Sequence, residues 1–376
     1  MLCKNRYFIF SVLSNQGFLS LLILIMLFHS GYSQKNNSPV YGFELKTHYA
    51  YLMSHHDHMR ILSEQHFPIY QFNLFKGGNH QKEWHDLYRY PQYGVSVIYS
   101  PLSSPQYLGY GIGIVPFISF PQYRNNRFSA CFYVGSGAGY VSKPFDVLEN
   151  YKNTAIGSKF NAVLMGQADF RYRLSAYSEI STGLSITHFS NGRIKTPNLG
   201  INNTGLYIGY ARSFASKKEV VPPDISEDIK KHEYNIFFAS SVKQDYPVEG
   251  KYFLYSAFSV NAKKIISRKR KIGAGLDIFY DFSDKAYYTQ RGDENSDITY
   301  TKPALYVLHD FRLGKMSIFL HLGTYLYTYE KNREAGMIYD RTGIQYFFTP
   351  QLSGHIALKK HYFKADCLEF AINVTF

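Results

Sequence analysis

His188 and Ser190 stand two residues apart in the run Ile186-Thr187-His188-Phe189-Ser190-Asn191. A serine hydroxyl is a weak nucleophile until a neighbouring base takes its proton, and an imidazole does this best when a third group fixes its tautomer. On a β-strand, residues two apart project from the same face. His188 and Ser190 therefore share the face of Ile180, Leu184 and Ile186, while Glu179, Ser181, Gly183, Ser185 and Thr187 take the other. In the next alternating segment Asn202 has the parity of Leu206 and Ile208, which brings it out beside the pair. The spacing thus allows a triad-like set on an apolar face. If that face meets lipid, the substrate of such a hydrolase is a lipid.

The elements that must position these residues are strands. Aromatic residues make up 18% of the 376-residue chain, with 35 Tyr, 30 Phe and 1 Trp, and charged residues another 18%. That profile excludes a disordered chain, a coiled coil and a helical membrane bundle. The longest strongly apolar run is Phe18 to Phe28, interrupted only by Ser20. Lys4 and Arg6 precede it and Gly31, Tyr32 and Ser33 follow, which is the pattern of an export leader cut before Gln34. Loss of residues 1–33 takes the formal charge from +13 to +11. Cys131 and Cys367 remain, and two cysteines in apolar strand-like stretches are expected to be free thiols.

Past Gln34 the chain repeats segments in which apolar and small or polar residues alternate, separated by Gly, Asn, Asp, Pro and Lys clusters. This is the period of a strand. At the C-terminus Leu368, Phe370, Ile372, Val374 and Phe376 share one face, and Glu369, Ala371, Asn373 and Thr375 the other. Two-faced strands in an exported chain predict a transmembrane antiparallel β-barrel, an all-β fold whose closure satisfies every backbone donor and acceptor. The segments fall near 40–53, 66–76, 92–101, 106–119, 127–142, 157–173, 176–190, 203–215, 233–244, 251–265, 271–282, 297–312, 315–329 and 341–351, with one or two more to 376. The expected count is about 14 strands, within 12–16. Residues 216–231, with Pro222 and Pro223, mark a connection between region 34–215 and region 232–376. One barrel and two barrels are both open at this point. A loose parallel between Leu184–Phe214 and Ala357–Phe376, with His361 answering to His188 and Phe363 to Ser190, favours keeping the second.

The stretch from His188 to Asn202 resembles a known family, the PagL-type outer-membrane lipid A 3-O-deacylases. Their motif is His-aromatic-Ser-Asn followed by Pro-Asn-x-Gly-Ile and a carboxylate. The matches are His188, Phe189, Ser190, Asn191, Pro197, Asn198, Gly200 and Ile201. The resemblance implies an eight-stranded unit, extended or duplicated, and a serine esterase embedded in the outer leaflet. Ser190 would be the nucleophile, His188 the general base and Asn198 a holder of the oxyanion. Asn191, Gly192, Arg193 and Lys195, in the same loop, would help to hold the oxyanion or position lipid A, the two cations through its phosphates. The expected product is a 3-hydroxyacyl chain, released without metal or organic cofactor. The chain departs from the family at Asn202, where a glutamate is expected. Phe376 resembles the C-terminal signal read by the outer-membrane barrel-assembly machinery. No nucleic-acid partner is expected, and the oligomeric state is not specified. The competing reading is a non-catalytic barrel, a pore or surface-interaction protein with a degenerate site.

Other tempting residues point elsewhere. His55, His56, Asp57 and His58 fit no closed zinc spacing and read as a polar loop. Arg291-Gly292-Asp293, followed by Glu294, reads as an ordinary acidic turn. Gly135, Gly137 and Gly139 alternate within a strand and open no helix, so they relieve crowding rather than bind a nucleotide.

Overall fold

Alternation of apolar and polar side chains makes each strand a wall with a wet and an oily face, and such walls are stable in lipid only when closed. The computed structural model describes residues 40–54, 56–79, 81–216, 232–245, 250–292, 300–329, 336–362 and 364–376. The leader, most of the 216–231 connection, His55, Asp293, Glu294 and Phe363 lie outside them. Strands β1 (Tyr41–Leu52), β2 (Phe67–Gly77), β3 (Gln92–Ser100), β4 (Gly111–Arg124), β5 (Phe128–Val141), β6 (Phe160–Arg173), β7 (Ser178–Ser190) and β8 (Ile201–Ser213) form one closed barrel, each antiparallel to its neighbours. Strands β9 (His232–Gln244), β10 (Tyr252–Ser267), β11 (Arg270–Asp281), β12 (Thr301–Leu313), β13 (Met316–Tyr325), β14 (Ile338–Phe347), β15 (Leu352–His361) and β16 (Lys364–Thr375) form a second. Two short helices, α1 (Glu83–Leu87) and α2 (Phe282–Gln290), and a 3-10 helix at Asp57–Leu62 lie in connections. Among the described residues no helix is long and apolar enough to cross a membrane.

The count is therefore sixteen strands among the described residues, the upper end of the expected 12–16 rather than its central value of 14. The two extra come from the final stretch, which turns at Tyr362 with φ 54°, a residue type that carries no turn signal. β4 also runs to Arg124 rather than stopping near 119, because Pro121 falls at a bulge, where a missing N–H is tolerated. Of the two arrangements left open, one ring or two, the chain forms two rings of eight. Phe376 helps to close the second, with its N–H donating to the Tyr234 carbonyl at 2.8 Å.

Both lumens are filled. In the first barrel Lys46 donates to Gln167 at 2.8 Å, Tyr207 donates to Asp169 at 2.8 Å, and His48 sits between Ser185 and Gln71 at 2.9 Å each. The end of that barrel that carries the β7–β8 connection is plugged by an apolar cluster including Leu52, Met59, Leu102, Val141, Phe189 and Ile201. In the second, Arg341 is 0% exposed and lies between Asp277, at 3.1 Å, and Glu369, at 2.5 Å. Tyr255, Phe279 and Tyr339 pack around it. Gly139 faces the crowded interior, where an added Cβ would lie 2.3 Å from Val163 Cγ2. Cys131 and Cys367 are free.

Connections differ between the two ends of the barrels. At one end most connections are tight turns, 125–127, 174–177, 268–269, 314–315 and 348–351, with the longer 78–91 connection that carries α1 among them; at the other are the longer 53–66, 101–110, 142–159 and 191–200, with the tight turn after His361. The His188–Asn202 stretch lies at the long-loop end. His361, the counterpart suggested by the internal parallel, points into the second lumen, where its Nε2 meets Tyr325 Oη at 2.8 Å. It does not repeat the outward geometry of His188.

Candidate active site

Three adjacent strands present the site. On β7, His188 lies opposite Leu164 of β6 and Asn202 of β8, and Ser190 lies opposite Ala162 of β6. Ile180, Leu184 and Ile186 below them are exposed on the barrel's outer wall, as the strand parity requires. Phe189, between the two polar residues, points inward and is 1% exposed within the apolar plug. This anchor fixes the direction of its neighbours. Ser190 shares the outer parity but is only 8% exposed, because the β7–β8 loop folds over it.

His188 Nδ1 and Asn202 Oδ1 are 2.6 Å apart. A carbonyl oxygen only accepts, so Nδ1 carries the proton, and the neutral imidazole has its lone pair at Nε2. Around Ser190 Oγ the loop supplies donors: Asn198 Nδ2 at 2.9 Å and the Gly192 N–H at 3.2 Å. Asn198 Oδ1 in turn accepts from the Asn191 N–H at 3.0 Å, which fixes the amide's orientation. The arrangement combines a hydroxyl, a tautomer-fixed imidazole and two N–H donors. It contains the elements of acyl transfer.

Two glycines of the motif have steric reasons. Gly200 has φ +84°, and a Cβ there would lie 2.5 Å from His188 Cε1, so the imidazole packs against bare backbone. Gly192 has φ +62°, and its Cβ would lie 2.8 Å from Leu368 Cβ in the second barrel. The 142–159 connection braces the same loop. Gly200 N–H donates to the Ala155 carbonyl at 2.8 Å, and Thr196–Pro197 is a cis peptide. In that connection Asp146 is held below the usual carboxylate range by the backbone N–H groups of Glu149 and Leu148, with Lys195 adding to the effect.

Not every residue in the sequence-derived set faces the same place. Asn191 is a loop brace, its amide donating to Ser158 Oγ at 2.8 Å and to the Lys195 carbonyl at 2.9 Å, so its side chain does not point to the Ser190 hydroxyl. Arg193 faces the second barrel, 2.7 Å from Asp245 Oδ1 and 3.6 Å from Asp366 Oδ1. Lys195 is half-buried, and its ammonium makes no hydrogen bond or ion pair among the described residues. Ser158, Gln244, Asp245 and Asp366 enter the picture only in three dimensions. None of them lies in the motif, and nothing in their local sequence marks them.

Two family models match the chain. Residues 71–211 match "Lipid A 3-O-deacylase (PagL)" and residues 232–376 match "Acyloxyacyl hydrolase, C-terminal domain". The chain belongs to the PagL-type lipid A 3-O-deacylase family. In this PagL-type chain the first match falls in the barrel that bears the His188 and Ser190 site, and the second spans the other barrel. Family membership and the closed-barrel fold support an outer-membrane deacylase as the general class. Solved structures that align include OccK3 of Pseudomonas aeruginosa, 10% identical over 90% of this chain and 95% of that one, with a TM-score of 0.21. The COG4313 outer membrane channel of Pseudomonas putida F1 is 10% identical over 92% and 97%, with a TM-score of 0.19. Superposition this loose carries no argument about fold or transport. No curated protein matches the chain.

Proposed function

We propose that this PagL-type chain is an outer-membrane serine esterase that removes an ester-linked 3-hydroxyacyl chain from lipid A or a related glycolipid. The observation that carries the reading is the 2.6 Å His188–Asn202 contact next to a Ser190 hydroxyl set among N–H donors on the barrel's outer wall. In outer-membrane barrels the long connections face outward from the cell, which would put this end at the outer leaflet, where lipid A lies. Ser190 Oγ attacks the ester carbonyl as His188 Nε2 takes its proton. The tetrahedral oxyanion forms against the Gly192 N–H and the Asn198 amide. Collapse expels the sugar hydroxyl, which recovers the proton from His188, and water then releases the hydroxy acid from Ser190 by the same route. Lys195 is the cation left to meet a lipid A phosphate.

The test is mass spectrometry of lipid A from cells expressing the wild-type chain, Ser190→Ala or His188→Ala, in a host whose lipid A carries a 3-O-acyl chain. Loss of one hydroxyacyl mass with wild type alone is expected. An unchanged spectrum from folded, surface-located wild type would remove lipid A 3-O-deacylation from consideration.

A further inference from the structure

The loop that covers Ser190 is gripped at two points by the second barrel. Gln244, the last residue of β9, accepts at Oε1 from the Thr196 N–H at 2.8 Å and from its hydroxyl at 3.0 Å. Its own backbone N–H donates to the Arg193 carbonyl at 3.2 Å, and its side-chain nitrogen donates to the Gly250 carbonyl at 2.8 Å. The next residue, Asp245, receives the Arg193 guanidinium at 2.7 Å.

Asp366 reaches the same guanidinium because β16 carries one extra residue. Lys359 pairs with Cys367 and Lys360 with Ala365, so Asp366 is bulged out of the ladder, and a bulge re-aims a side chain. Lys243 at 2.7 Å and Lys359 at 2.6 Å hold the Asp366 carboxylate from the lumen side. Gly192, with no side chain, lets the loop close on Leu368. The two donors on Ser190 Oγ, Gly192 N–H and the Asn198 amide, thus stand beside the two gripped points, Arg193 and Thr196. Misplacement of such groups by about 1 Å costs on the order of 10²-fold in rate.

We infer that the second barrel is a clamp that sets the oxyanion side of the site, with Gln244, Asp245 and Arg193 as positioning residues. Its effect on rate rests on the esterase reading; its effect on the order of the loop does not. The experiment compares the full-length wild-type chain with Gln244→Ala/Asp245→Asn in vesicles containing 3-O-acylated lipid A. It follows amide hydrogen exchange over residues 191–200 and the kinetics of hydroxy-acid release. The expected result is exchange at least about tenfold faster in 191–200, β7 unchanged, and kcat lower by about 10- to 100-fold with KM nearly constant. Unaltered exchange in a folded Gln244→Ala/Asp245→Asn protein overturns the clamp, and faster exchange with unchanged kcat overturns the positioning role. If wild type releases no acid while the variant's exchange still quickens, the esterase reading falls and the clamp stands.

Discussion

The third member of the site is an amide where the family expects a carboxylate. Asn202 fixes the His188 tautomer through the 2.6 Å contact but brings no negative charge to balance an imidazolium. Replacing Asp by Asn in a serine triad lowers the rate by about 10⁴-fold, and part of that loss comes from the wrong tautomer. Since Asn202 holds the tautomer that the proposed serine mechanism requires, Asn202→Asp is expected to raise kcat by about 10- to 100-fold. Asn202→Leu should lower it by a comparable factor, and both are read from hydroxy-acid release. An Asn202→Leu enzyme as fast as wild type would show that His188 needs no third group. On the oxyanion side, Asn198→Ala removes a donor, and losses of about 10²- to 10³-fold in kcat are typical of such a change. The juxtaposition of His188, Ser190 and Asn202 was legible in the sequence because it depends on strand parity, which all three obey. The ion pairs of Arg193 were not legible, because its partners, Asp245 and Asp366, come from distant segments that no local pattern links to the loop.

At the level of the β7–β8 connection, backbone conformation and close packing act together on His188. Gly200→Ala would impose a left-handed conformation on a residue with a Cβ, at about 1–2 kcal/mol. It would also push that Cβ to 2.5 Å from the imidazole, which has to shift away from Asn202. Gly292 is the natural control, since it has φ +75° with nothing within 4 Å of a built Cβ. Gly200→Ala is expected to lower kcat by at least about tenfold, consistent with misplacement of a catalytic group. Gly292→Ala should leave kcat unchanged and carry only the backbone strain. Equal activity in the two variants would mean that contact with His188 is irrelevant. The strands themselves were largely readable from alternation, with segments such as 176–190 and 233–244 matching β7 and β9 to within two residues. The one turn left without a position was the last, at Tyr362, inside the stretch that follows 351.

At the scale of the whole chain, the number of barrels was illegible for a physical reason. Alternating strands look the same in one wide ring and in two narrow ones; the difference is whether β8 pairs with β1 or continues to β9. That choice is made by contacts far apart in sequence, including the lumen charges. Two filled rings of eight argue against a pore, so planar bilayers containing the purified chain are expected to show no steady single-channel conductance. A stable open channel would reverse that reading. The second lumen also predicts its own sensitivity. Arg341 is fully buried between Asp277 and Glu369, which are themselves 0% exposed as side chains. Removing one member of a buried ion set strands the others without solvent, a loss of about 3–5 kcal/mol, whereas replacing the whole set by neutral groups is often close to neutral. Arg341→Met alone should therefore lower the denaturant concentration at which the chain loses its compact mobility on unheated gels. Adding Asp277→Asn and Glu369→Gln should restore most of the loss. If the triple variant is no more stable than the single, the carboxylates are not the source of the penalty, and Arg341 acts through packing against Phe237 and Phe279, whose rings lie 5.2 and 5.5 Å from its guanidinium carbon.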